Sequence, residues 1–178
     1  MKRRFLEIDV FGAEPSRGNA LGVILDSEEL TTDEMQEFAA WTNFSETTFL
    51  LPPTEEGADF KVRIFTPTRE LPFAGHPTLG SCFAWLQGGN KPRYPDIVVQ
   101  ECAAGLIEIR KDGESLSFKS PELIKYGPIE TALISEIAEA LNIDQAKFID
   151  SHWLDNGPGW VGVLLSSVDE VLAISPKS

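Results

Sequence analysis

The stretch ELPFAGHPTLGSC places Gly75, His76 and Pro77 where a helix should open. Pro77 fits a first helical turn, where a missing N–H costs nothing. Leu79, Phe83 and Leu86 then recur at helical spacing until Gly88-Gly89 ends the pattern. The free backbone N–H groups after Gly75 and the positive end of the helix dipole suit a carboxylate or an enolate oxygen. His76 is then either a donor to that anion or a helix cap and satisfied core group. The second chemically capable side chain is Glu46, in NFSETTFLL, flanked by Phe44, Phe49 and Leu50. Desolvation by such neighbours raises a carboxylate pKa and suits it to take a weakly acidic proton from carbon near pH 7. A glutamate at a strand edge is equally a solvated surface charge, and the residue alone does not decide.

Positioning elements can be read on either side. RRFLEIDVF alternates apolar and charged residues, GAEPSRGN is a connection, and ALGVILD reads as a strand. Thr31 and Glu34 have capping-box spacing and open a helix carrying Met35, Phe38, Ala39 and Thr42 on one face. ETTFLLP and ADFKVRIFTP read as strands, the second with Phe60, Val62 and Ile64 on one side. TLGSCFAWL is apolar or small throughout, which predicts a helix over about 77–87 surrounded by protein. DIVVQEC, GLIEIRKDGESLSFKSP and WVGVLLSS supply further strands, with Asp112-Gly113 as a hairpin signal. ETALISEIAEALN is a helix with Ile134, Ile137, Ala138 and Leu141 on one face. A change of style near SPELIKYGP divides the chain into 1–120 and 121–178, and SSVDEVLAISPKS opens a helix capped by Ser167 and Glu170. The second unit reads as unfinished. GNALGVILDSEELTTDEM and NGPGWVGVLLSSVDEV echo each other weakly, as a duplicated strand-helix unit would.

Composition narrows the partners. A chain of 178 residues with 42% hydrophobic residues can bury one sizeable core or two small ones. A formal charge of -13 repels phosphate backbones and anionic headgroups, which argues against nucleic acid and membrane. No signal-like apolar run precedes Glu7 and Asp9, so a cytoplasmic location is expected. Cys82 and Cys102 lack metal-ligand spacing and read as reduced, packed thiols, with no metal or cofactor implied. His152 reads as structural or exposed in a loop-like segment. Trp41, Trp85, Trp153 and Trp160 read as core or domain-interface aromatics, and Arg69 beside Glu70 as a surface charge or an organiser of a cleft rim.

In order and separation, IDVFGAEPSRGNALGVILD, NFSETTFLLPP, KVRIFTPTRELPFAGHPTLG and DNGPGWVGVLL resemble the PhzF-like family of phenazine-biosynthesis proteins, in the diaminopimelate epimerase-like superfamily. The resemblance implies an α+β fold of two similar domains, each a β-sheet barrel rolled around a central helix, with a substrate cleft between them. It further implies that Glu46 is the acid/base moving a proton near a substrate carboxylate, that Gly75 and His76 line the cleft at the helix end, and that Asn19 lies near them. Pro77 and Thr78 complete the expected substrate-binding turn. Where racemases of the superfamily carry a cysteine before that glycine, this chain has Ala74, so a two-thiol mechanism is not expected.

Family members continue for about a hundred residues beyond this point. That segment carries an Asp and a small hydroxyl residue that face the glutamate. The expectation is therefore a cofactor-independent isomerase acting on a small carboxylate-bearing metabolite, slow or inactive until the remaining groups are supplied, and a homodimer or a chain completed by a partner. The alternative is a truncated, non-catalytic binding or interaction module, or one half of a split enzyme, with exposed sheet edges serving association.

Overall fold

Alternation shapes the first strand: along β1 (Phe5–Val10), Leu6, Ile8 and Val10 turn towards the core while Glu7 and Asp9 turn away. The structure, a computed structural model, describes residues 2–177. Residues through Pro121 form one unit and residues from Glu122 a second.

In the first unit β1 pairs antiparallel with β2 (Asn19–Ile24), and β2 runs parallel to β3 (Glu46–Leu51), with α1 (Thr32–Thr42) as the crossover. Thr31 and Glu34 form the expected reciprocal cap at the start of α1, and Asn43 ends it in the left-handed conformation. Antiparallel to β3 lies β4 (Phe60–Phe65), which also carries the two-residue β5 (Glu70–Leu71). After α2 (Gly75–Gln87) the sheet continues with β6 (Ile97–Cys102), parallel to β4, then β7 (Gly105–Asp112) and β8 (Ser115–Phe118). Strands β1, β2, β3, β6 and β8 all touch α2, so the sheet curls around that helix.

Two apolar layers result. Leu21, Val23, Leu50, Phe60, Val62, Ile64, Phe73, Cys82, Ala84, Val98 and Ile109 fill the space around α2. Ile24, Met35, Ala39, Phe49 and Phe65 pack α1 on the opposite face of the sheet. Complete burial of a Leu, Ile or Phe side chain stabilises by about 1.5–3 kcal/mol, and both layers are built from such residues.

The second unit has a three-stranded antiparallel sheet in the order β11 (Val161–Leu164), β10 (Asp150–Asp155), β9 (Lys125–Pro128). Helix α3 (Thr131–Leu141) and a 3-10 turn at Gln145–Lys147 join β9 to β10, and α4 (Val168–Leu172) follows β11 with Ser167 as its cap.

Several expectations need correcting. Helix α2 begins at Gly75 rather than near 77, because Ala74 already has the extended conformation of a cap without contributing a side-chain bond. It is not enclosed on every side, since Phe83 is 43% exposed. The segment around His152 is strand β10 rather than loop, with the imidazole stacked on Tyr126 and its Nε2 3.3 Å from Asp150 Oδ1. Strand β9 lies inside the stretch read as a boundary. Trp41 and Trp160 are exposed and do not belong to the core, whereas Trp85 stacks on Phe60. Arg63 donates from Nε and Nη2 to the two carboxylate oxygens of Glu70, at 2.7 and 2.6 Å. Among the described residues no helix is long and apolar enough to cross a membrane.

Candidate active site

Parallel pairing of β2 and β3 makes both strands start at the same end of the sheet, with Leu21 opposite Glu46. Glu46, Thr48 and Leu50 share one face of β3 by the period of two. That face meets α2, since Ser81 Oγ donates to Thr48 Oγ1 at 2.9 Å and Leu50 belongs to the core around the helix. Glu46 is therefore aimed at the start of α2, where His76 is the second helical residue. Asn19, first residue of β2, reaches the same place.

Four side chains meet there in a line. Ser45 Oγ donates to Asn19 Oδ1 at 3.1 Å, Asn19 Nδ2 lies 3.2 Å from His76 Nδ1, and His76 Nε2 lies 3.3 Å from Glu46 Oε2. The imidazole and carboxylate side chains are only 9% and 12% exposed. His76 Nε2 and Glu46 Oε2 are each sealed from solvent without a hydrogen bond, so the bonding capacity of both is unspent. Burial lowers the His76 pKa, with the Glu46 charge opposing in part, which keeps the imidazole neutral at physiological pH.

Asn19 is held by the preceding loop. The Asp9 carboxylate accepts from the backbone N–H of Ser16 at 2.7 Å and of Gly18 at 2.8 Å. A Cβ at Gly18 would stand 2.2 Å from the Val10 carbonyl oxygen, so glycine is needed for the loop to return this closely.

The other expected residues divide. Gly75 and His76 supply the free N–H groups of the first turn, and Pro77 has none. The Thr78 N–H already donates to Ala74 O, its buried hydroxyl donates to the same carbonyl at 2.9 Å, and Gln100 Nε2 donates to that hydroxyl at 3.2 Å. Thr78 thus braces the turn from behind, and the anion-binding amides narrow to two. Ser45 was not singled out from sequence; its place beside Glu46 was legible, but its contact with Asn19 depends on the parallel pairing. Cys82 is fully buried in the core around α2, away from the mouth of the helix, and burial pushes its thiol up to about 12. Among the described residues no three His, Cys, Asp or Glu side chains gather as a metal-binding group.

A sheet curled around a helix, with a carboxylate and an imidazole meeting at the helix mouth, defines a diaminopimelate epimerase-like α+β protein. The chain belongs to the phenazine biosynthesis-like family (PhzC-PhzF), whose model matches residues 8–178. Antisense-enhancing sequence 1 of Schizosaccharomyces pombe is 43% identical over 181 residues, covering 97% of this chain and 61% of that protein. Trans-2,3-dihydro-3-hydroxyanthranilate isomerase of Pseudomonas aeruginosa is 35% identical over 180 residues, again covering 97% of this chain and 61% of the relative. Among solved structures, a Bacillus anthracis phenazine biosynthesis protein of the PhzF family superposes with a TM-score of 0.75 at 25% identity, over 99% of this chain and 60% of that one. The chain thus spans about three fifths of the length of these relatives.

Proposed function

We propose that this chain carries the proton-transferring side of a cofactor-independent isomerase acting on a small carboxylate-bearing metabolite. The observation that carries the reading is the pair Glu46 Oε2 and His76 Nε2, 3.3 Å apart, enclosed, and without hydrogen bonds of their own. The substrate carboxylate docks on the N–H groups of Gly75 and His76, at the positive end of α2. Glu46 takes a proton from an allylic carbon, next to a double bond conjugated with that carboxylate: the C–H bond breaks, its electrons pass into the conjugated system, and Glu46 becomes the neutral acid. The charge that develops on the substrate oxygens is stabilised by the same donors, already in place before the reaction. Return of the proton to a different carbon re-forms a C–H bond and regenerates the carboxylate. Net chemistry is isomerisation, and no electron acceptor is consumed.

The isomerase relative from Pseudomonas aeruginosa makes trans-2,3-dihydro-3-hydroxyanthranilate the first substrate to try. Incubation in deuterated water, followed by NMR, reads the first half of the reaction: the proton on Glu46 exchanges with solvent deuterium, and return of the deuteron to carbon labels the substrate. This half needs only the base and donors described above. Incorporation above the protein-free rate supports the proposal; no incorporation into this compound or simpler allylic carboxylic acids sinks it.

A non-catalytic interaction module is the second reading. It is favoured by Tyr126, Leu154 and Leu164, exposed on one face of the small sheet by its register.

A further inference from the structure

We infer that Ser45 and Asn19 are positioning residues that fix the tautomer of His76, holding its proton on Nε2, the nitrogen that faces Glu46. The inference rests on the proposed role of the Glu46–His76 pair. A neutral imidazole carries one N–H and one lone pair, and the bond at one nitrogen decides which the other presents. Asn19 turns its NH2 group towards the ring and its Oδ1 towards Ser45, whose hydroxyl donates to it, while the Glu46 carboxylate facing the other ring nitrogen can only accept. An amide NH2 only donates, and at 3.2 Å it requires a lone pair on His76 Nδ1. The proton therefore sits on Nε2, 3.3 Å from Glu46 Oε2.

This arrangement has a chemical consequence. A ring with its proton on Nε2 donates towards Glu46 or a substrate oxygen, and cannot take up at that atom the proton that Glu46 acquires. The proton lifted from carbon stays on the carboxylate. With the opposite tautomer, two lone pairs would face each other across the same gap, and the donor would be lost. Asn19 from β2, Ser45 just before β3, Glu46 from β3 and His76 from the first turn of α2 make up this line, and Glu46 is the charged group that acts on the imidazole.

The test is nitrogen-15 NMR of the imidazole rings, which separates protonated from unprotonated ring nitrogens and needs no substrate. The chain has two histidines, so His152 serves as the internal control. Wild type at neutral pH is expected to show His76 with a proton on Nε2 and an unprotonated Nδ1. In Asn19→Asp the new carboxylate can only accept, so Nδ1 gains a proton, whether by tautomer exchange or by charging of the ring. Both routes move the Nδ1 resonance into the protonated range and leave His152 unchanged. Ser45→Ala frees the amide to turn over, and the Nδ1 signal shifts part of the way. A wild-type ring with its proton on Nδ1, or an Asn19→Asp ring still unprotonated there in a protein with a native amide spectrum, overturns the inference. A Ser45→Ala spectrum identical to wild type removes Ser45 from it. Because the readout is independent of turnover, it can fail while deuterium exchange succeeds, and the reverse.

Discussion

Gly80 and Leu21 set how closely α2 approaches β2: a Cβ at position 80 would lie 2.5 Å from Leu21 Cδ2 and 2.9 Å from Val10 Cγ2. Both neighbours are buried, and Val10 is stiff about its first side-chain bond, so neither yields freely. The approach matters for chemistry because His76 rides on the same helix. Gly80→Ala should destabilise the first unit by about 1–3 kcal/mol through overpacking. Urea denaturation measures it, and an unchanged midpoint would show that the helix has room to spare.

His76 makes stability depend on pH in a defined direction. Burial lowers its pKa from the ordinary 6.5, and the Glu46 charge offsets part of that. As pH falls below about 6.5 the unfolded chain binds the proton before the folded one does, so stability declines until the folded imidazole also charges. His76→Gln should flatten this slope between pH 6.5 and the lowered value. A slope equally steep in the variant would assign the pH dependence to other groups.

Glu101 anchors the loop after β3. Burial opposes its ionisation, but Lys61, the Thr54 hydroxyl and the N–H groups of Glu55 and Thr54 outweigh it and hold the pKa at about 2, below the usual 4.5. The stability from this clasp is complete above pH 4.5 and is lost as pH drops towards 2. Glu101→Gln should cost about 1.5–3 kcal/mol, the range for hydrogen bonds to a charged group. Thermal melts at pH 7 and pH 3 check it, because the difference between wild type and variant should shrink at the lower pH.

Anion binding at the mouth of α2 should perturb the amides of Gly75 and His76 first, with Thr78 following only weakly because its N–H is already bonded to Ala74 O. A titration with acetate or sulfate, followed by amide chemical shifts, reads this directly. Shifts concentrated elsewhere on the surface would move the anion site away from α2.

What the sequence made legible was local. The Thr31–Glu34 box, the alternation of FKVRIF and the helical spacing of Leu79, Phe83 and Leu86 each depend on neighbours a few residues away. The start of α2 was displaced because Ala74 caps by backbone conformation alone, which leaves no side-chain signature. Strands β9 and β10 were missed because KYGP and DSHWLD mix polar and apolar residues on both faces, and pairing partners hold them as strands. By type the exposed Trp41 read as a core or domain-interface aromatic; its ring lies tilted against Phe38, with centroids 5.8 Å apart. At the site, Glu46 and His76 could be picked out separately, by their neighbours and by the helix start. That they meet, and that Ser45 and Asn19 stand behind the imidazole, follows from the parallel pairing of β2 and β3 and from α2 opening at that end of the sheet, neither of which is written in any short stretch.

The most direct test of the account is deuterium exchange by Glu46→Gln beside wild type, on an allylic carboxylic acid in deuterated water. The amide preserves shape but cannot accept the proton, so exchange should fall at least a hundredfold, roughly the lower end of what a positioned base contributes, while carboxylate binding and the melting temperature stay close to wild type. Exchange by the Gln variant at the wild-type rate would contradict the central claim that Glu46 moves the proton.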